Sequence, residues 1–384
     1  MKHHRQGIPF LAPALPLLAL CLVSTDLHAG FVFQETDLVS DIAGRAAVTD
    51  PNLVNPWGIS RNPTGPWWVS NGATGTSTLY NGNTGTPVPL VVSIPNPSGG
   101  MAAPTGQVFN GGSGFNADRF IFASEDGLIS GWRGSLGSTA ETLFNRSDVG
   151  AIYKGVAIGT VGADTYLYAA DFHNNRIDAF SSSGMSSLTG NFMDPTLPSG
   201  YGVFNVQNIG NQLYVTYAQQ DANAEDDVAG AGLGFVSVFT LNGDFVRRFA
   251  SNGPLNAPWG VAMAPAGFGD FGGNLIVGNF GDGLLNVFDT SGNFVDSLRG
   301  WNGDPLAIDG LWGIGFGNNG AAGPSDDLFF AAGLDDETHG LFGRLTAVPV
   351  PEPGTTTAGA ALLLLCAGTW YARRRGAKPA SGTS

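Results

Sequence analysis

Carboxylates, amides and two histidines recur at one kind of place in this chain, the polar break between two short apolar runs. In order, these breaks carry Asn71; Glu125 and Asp126; Asp171, His173 and Asn174; the long insertion 219–234 with Asp221, Glu225, Asp226 and Asp227; Asn279 and Asp282; and Asp335, Asp336, Glu337 and His339. Carboxylate and amide oxygens are hard ligands, suited to Ca²⁺ or another divalent metal. The spacing is not that of an EF-hand loop. Histidine titrates near neutrality, so His339 or His173 with Glu337 could supply a general acid–base pair. No nucleophile motif accompanies them. Asp and Asn also hold turns by bonding their own backbone, a reading that needs no ligand.

What would bring residues spread over some 260 positions together is the repeat on which they ride. Asn55-Pro-Trp-Gly-Ile-Ser60 returns as Ala257-Pro-Trp-Gly-Val-Ala262 and Gly310-Leu-Trp-Gly-Ile-Gly315. Looser copies stand at Ala103–Val108, Tyr153–Ala157 and Phe204–Gln207. Each precedes an aromatic or β-branched run, a polar break and a second short run. A period of roughly 50 residues signals an array of supersecondary units. Four short strands per unit, about six units and no helical pattern predict an all-β six-bladed β-propeller over residues 30–347. The sixth unit lacks its last strand, and Phe31–Val39 is an unassigned strand at the other end. The expectation is that it completes the last blade, since closing the ring removes exposed edges. In the third unit the last run is weak and falls near Leu188–Phe192. In a propeller the breaks with polar residues share one face with the links between blades, so they would ring a single funnel. The insertion 219–234 would lie over it as an ordered flap, or stand free in solvent. Glycine in the marker lets inner strands approach closely. Trp57, Trp259 and Trp312 are expected in the core, packed between adjacent blades.

Composition agrees and narrows the partners. There are 58 glycines, and charged residues make up only 12% of the chain, which suits many tight turns between short strands. The net charge is −14, and residues 30–350, with 11 Lys and Arg against 29 Asp and Glu, stand at −18. Nucleic acid and anionic membrane surfaces are therefore poor partners. Cys21 and Cys366 both lie in terminal apolar segments, so the central domain has no disulfide, thiolate zinc site or cysteine nucleophile.

The ends read as addresses. Residues 1–29 have a basic start, an apolar core from Ile8 to Val23 and a small residue at Ala29, the pattern of a secretory signal peptide. At the other end, Pro351-Glu352-Pro353 leads into the uncharged stretch 355–372 and then Arg373-Arg374-Arg375. That stretch is long enough to cross a bilayer, and the arginines would hold 376–384 in the cytoplasm.

These three parts in order resemble the PEP-CTERM sorting signal, here 348–375. The resemblance implies recognition by exosortase in a Gram-negative bacterium, a transmembrane helix in transit, and delivery to the cell surface or extracellular matrix. Within the repeats, Ala169-Ala-Asp-Phe-His-Asn-Asn-Arg-Ile-Asp-Ala-Phe180 resembles the core of an NHL repeat, with Asp171, an Asn at 174 or 175, Arg176 and Phe180 at the family's positions. In the fifth unit Asn279 and Asp282 echo it, but Leu284 replaces the arginine. Residues 36–346 as a whole look like a family of six-unit bacterial propellers that carry such tails, through Asp226-Asp227, Ala229-Gly-Ala-Gly232, Asn256-Ala-Pro-Trp-Gly260, Gly278-Asn-Phe-Gly-Asp-Gly283 and Asp335-Asp-Glu-Thr-His-Gly340. That resemblance brings no activity with it. The expected role is a binding or interaction module for a protein or exopolysaccharide at the acidic loop face. Propeller lactonases bind a metal through Glu, Asn and Asp, so a metal-dependent lactonase-like hydrolase at the same face is the enzyme alternative. A structural matrix component without a discrete site is the third.

Overall fold

The computed structural model describes residues 30–186 and 188–350. Gly30–Val350 forms one compact unit. The signal segment, the Pro351-Glu352-Pro353 motif, the 355–372 span and Arg373–Arg375 lie outside the described residues. Among the described residues no helix is long and apolar enough to cross a membrane.

Six sheets are arranged as the blades of a propeller, antiparallel throughout except that the two-residue strand Val48–Thr49 adds parallel to Phe31–Ser40 at the edge of the last. Blade 1 is Pro56–Arg61, Trp67–Asn71, Thr76–Tyr80 and Pro87–Ser93. Blade 2 is Pro104–Phe109, Phe120–Ser124, Leu128–Trp132 and Glu141–Asn145. Blade 3 is Tyr153–Val161, Asp164–Asp171, Arg176–Ser181 and the two-residue Gly184–Met185. Blade 4 is Tyr201–Ile209, Gln212–Gln219, Gly234–Thr240 and Phe245–Ser251. Blade 5 is Pro258–Met263, Leu275–Asn279, Leu285–Phe288 and Phe294–Ser297. Blade 6 is Leu311–Phe316, Leu328–Ala332, Leu341–Pro349 and, from the start of the domain, Phe31–Ser40.

The closing strand is therefore the one expected. Phe31–Ser40 pairs antiparallel with Leu341–Pro349 from Phe31 opposite Pro349 to Ser40 opposite Leu341. Phe33 is buried against Phe268 at 4.9 Å, so closure is secured by packing as well as by the ladder. The last strand extends to Pro349, two residues into the segment assigned to the sorting signal. One expected strand is displaced: the fourth strand of blade 3 is Gly184–Met185. Phe192 is instead a buried residue with φ 53°, packed on Tyr168 and Phe239.

The core lies between neighbouring blades. Phe120–Ser124 and Leu328–Ala332 are buried at every position, because each middle strand is covered on both faces and so reads as a continuous apolar run. Strands alternate in direction within each blade. The loops joining second to third strands and the links joining blades thus fall on one face, called here the loop face.

Candidate functional site

The marker segment starts each inner strand at the loop face, and there all six ladders break register. The breaks fall at 56–59, 104–107, 153–155, 203–205, 258–260 and 311–314. A bulge re-aims the side chain it carries. The residues so placed are Trp57, Thr105, Lys154, Phe204, Trp259 and Trp312. The next residue is glycine in five blades, and the reason is contact with the adjacent inner strand. A Cβ on Gly58 would stand 2.6 Å from the Thr105 carbonyl, and one on Gly260 would stand 2.7 Å from that of Trp312. Blade 4 carries Asn205 instead, whose Nδ2 donates to the Trp259 carbonyl at 2.8 Å.

The tryptophans are buried in the core, as expected, and they meet one another around the axis. Trp312 stacks between Trp57 at 3.4 Å and Phe280 at 3.9 Å. Trp259 meets Trp57 edge-on at 6.1 Å. With Phe172 and Phe204 they form a buried aromatic plug at the loop-face end of the axis. Their indole ends are polar anchors: Trp259 Nε1 donates to the Lys154 carbonyl at 3.1 Å and Trp312 Nε1 to Glu337 Oε1 at 3.0 Å.

Lys154 is the exception in this ring and the centre of the site. It is 2% exposed. Its Nζ lies 5.3 Å from the Trp57 ring and 5.8 Å from the Phe172 ring. It pairs with Glu125 from the blade 2 loop and with Asp226, 3.1 Å away, from the long blade 4 loop. Burial opposes its charge, but Glu125 and Asp226 more than compensate and hold its pKa above the ordinary value. Asp227 and Glu337 complete the group. Burial pushes Asp227 up to about 7, against the lowering pull of Lys154. Burial also raises Glu337, helped by the charge of Glu125. Burial is thus the main cause of both upward shifts, and the neighbouring carboxylates add to it.

Of the expected residues, Asp226, Asp227 and Glu337 come together here. Glu337 is delivered by a left-handed turn, with φ of 51°, 51° and 64° at Asp335, Asp336 and Glu337. Such a conformation costs roughly 1 kcal/mol or more per non-glycine residue. Asp335 and Asp336 themselves are exposed on its outside. His339 is braced by Asp41, with Nδ1 2.7 Å from Oδ2, while Asp41 Oδ1 accepts from Gly340 N at 2.8 Å. His173 places Nδ1 3.2 Å from the Ala224 carbonyl of the long loop. Asp171, Asn174, Asn279 and Asp282 hold their own turns. Asp171 is fully buried, accepts Asn174 Nδ2 at 2.8 Å and pairs with Arg176 at 3.2 Å. Asn279 Nδ2 donates to Asp282 Oδ1 at 3.0 Å and to the Pro254 carbonyl at 2.8 Å. The 219–234 loop is ordered, tied down by Gln220 Nε2 to the Phe172 carbonyl at 2.6 Å and by Gly230 N to Asn256 Oδ1 at 2.6 Å.

A divalent metal does not fit this donor set. The Lys154 ammonium stands between Glu125 and Asp226, where a cation shared by them would sit. Among the described residues no three or more His, Cys, Asp or Glu side chains converge as metal ligands.

Lys154 itself is absent from the sequence-derived candidates, yet a signal was present. It is the only lysine between residues 30 and 350, and it stands where three other copies of the marker have tryptophan.

No family model matches the chain. Two proteins of Acanthamoeba polyphaga mimivirus, "Uncharacterized protein R648" and "Uncharacterized protein L690", are each 35% identical over 80% of this chain, and the matches cover 78% and 84% of those proteins. Among solved structures, virginiamycin B lyase from Staphylococcus aureus matches with a TM-score of 0.50 and 16% identity, over 83% of this chain and 100% of that one. A protein of unknown function from Bacteroides thetaiotaomicron matches with a TM-score of 0.52 and 11% identity, over 82% and 72%. At such identities these structures share the fold and nothing finer. The chain belongs to the family of the mimivirus proteins R648 and L690, and in this member the shared domain is a six-bladed β-propeller.

Proposed function

We propose that the protein is a binding module that takes its partner, a surface protein or an exopolysaccharide, at the centre of the acidic loop face. The observation that carries this reading is Lys154. Burying an ammonium with its carboxylates rarely adds stability over apolar packing, and five other blades fill the same position with Trp, Phe or Thr. The lysine is thus a chemical choice. Around it are acceptors and donors of both signs, supplied by blades 2, 3, 4 and 6 and covered by the 219–234 loop. Cell-surface material of the producing bacterium, immobilised in protease-treated and glycosidase-treated portions, provides the test. Residues 30–350 should bind one portion, and Lys154→Met should bind it about tenfold more weakly, a difference of ~1.4 kcal/mol. Equal binding by both forms overturns the reading.

A second reading, hydrolysis at the same face, is favoured by one specific feature: the Asp41 carboxylate orients His339, as a general base requires. Turnover of a lactone panel that is lost in His339→Ala and unaffected by chelator would support it, without the metal of the lactonase resemblance. Absence of turnover would leave binding as the activity of the face.

The address belongs to this proposal as well. The compact unit runs from Gly30 to Val350, between the signal-like segment and the Pro351-Glu352-Pro353 motif. We infer export, sorting by exosortase, and a final place at the cell surface or in the matrix. Release of the propeller from the membrane fraction should require exosortase; release in a strain lacking it would refute the sorting step.

A further inference from the structure

A further cavity lies away from the loop face. It is the axial channel below the aromatic plug, about 400 Å³, lined by the six inner strands from Gly58 and Trp259 down to Arg61, Asn208 and Phe316. The plug closes one end, so the channel is blind and opens on the face opposite the loops. Its walls are polar in a particular way. Each inner strand is the edge of its sheet, so its free N–H and C=O groups face the axis. Only some are taken up by side chains: Gln107 Nε2 donates to the Gly58 carbonyl at 2.7 Å, and Asn208 Nδ2 to that of Ile158 at 2.8 Å. Gln207 lines the channel with an exposed side chain.

One charged residue lines this channel, Arg61, and it is half-buried. In a domain rich in carboxylates, none among the described residues lies within ion-pair distance of it, whereas Arg133, Arg176, Arg248 and Arg344 each have one. Burial lowers its pKa, the sign of a cation lacking compensation. Its geometry is fixed all the same. Nε donates to the Phe316 carbonyl at 2.7 Å, Nη2 to that of Gly317 at 2.9 Å, and the guanidinium lies 5.5 Å from the Trp67 ring. The remaining nitrogen, Nη1, is left as a donor on a preorganised group.

We propose that this channel is a second binding site, for a small polyhydroxylated organic anion of the uronic acid kind. Arg61 takes the carboxylate, and Gln207, Asn208 and the free strand edges take the hydroxyls. The channel volume falls within the range of small-molecule sites.

The test uses the 30–350 domain with glucuronate as probe, glucose as its neutral counterpart and inorganic phosphate as a bare anion, read by thermal shift and calorimetry. Glucuronate should bind at least about tenfold more tightly than glucose or phosphate. Gln207→Trp, which obstructs the channel from an exposed position, should abolish binding, and Arg61→Gln should reduce it to the level of glucose. Lys154→Met, at the other end of the axis, should leave it unchanged. Failure of glucuronate to bind, binding no tighter than glucose, or binding that survives Gln207→Trp each overturns the proposal. If Arg61→Gln does not fold, the Gln207→Trp result and the glucuronate-to-glucose ratio still decide.

Discussion

Blades 5 and 3 show the same backbone feature carrying opposite chemistry. In each, the inner strand breaks register at the loop face and turns one side chain toward the axis. In blade 5 that side chain is Trp259, packed among Trp57 and Trp312. In blade 3 it is Lys154, equally buried but surrounded by carboxylates. The two are joined directly, since the Trp259 indole donates to the Lys154 carbonyl. Tryptophan at this position contributes cohesion. Lysine contributes a charge that the packing does not need. A repeat fold thus marks its own site: the position where one copy departs from what the others use for stability is the position to suspect of chemistry.

That contrast can be broken experimentally, beginning with its larger half. Trp312→Ala removes the ring sandwiched between Trp57 and Phe280, and should cost about 3–5 kcal/mol in urea-induced unfolding. Lys154→Met should cost much less, about 1 kcal/mol. Glu125 and Asp226 keep access to water, with side chains 33% and 78% exposed, and the new side chain is apolar. If the lysine variant is the less stable of the two, the division between cohesion and chemistry is wrong.

A smaller effect tests the burial of Asp227 beside Lys154. Asp227 has its pKa raised from 3.8 to about 7. Between those values the folded state holds a proton that the unfolded state has released, so this group's contribution to stability falls as pH rises through that window. Asp227→Asn should therefore flatten the decline between pH 4 and 7 seen by thermal denaturation of the parent domain; an unchanged slope would remove Asp227 from the buried cluster. The smallest effect is expected of Asp226→Ala. An ion pair this exposed contributes within about 1 kcal/mol. The 219–234 loop has other ties, so hydrogen exchange at Gln220 should stay slow in the variant. Loss of protection there would show that the Lys154–Asp226 pair, and not the ties to Phe172 and Asn256, holds the loop in place.

Much of the architecture was legible because it is written locally and repeatedly. The marker segments, the aromatic runs and the polar breaks fix the number of blades and their phase, and the unpaired run at Phe31 announces the closing strand. Asp171, Asn174, Asn279 and Asp282 show the limit of that kind of reading. Asp and Asn at a break look alike whether they cap a turn or face a ligand, and these four cap turns. Where a local signal was weak, the strand moved, as at Gly184–Met185.

The sequence alone determined the repeat, its period, the closure of the ring and the gathering of polar loops on one face. Those follow from strand periodicity and from the need to complete the last blade. Only the tertiary structure decided that the tryptophans meet on the axis, that Glu125, Asp226, Asp227 and Glu337 converge on Lys154, that Asp41 reaches His339 from 298 positions away, and that Arg61 faces an open channel alone. Each of these depends on distances across the ring. Circular closure brings together residues from different blades, and no spacing along the chain encodes which of them will touch.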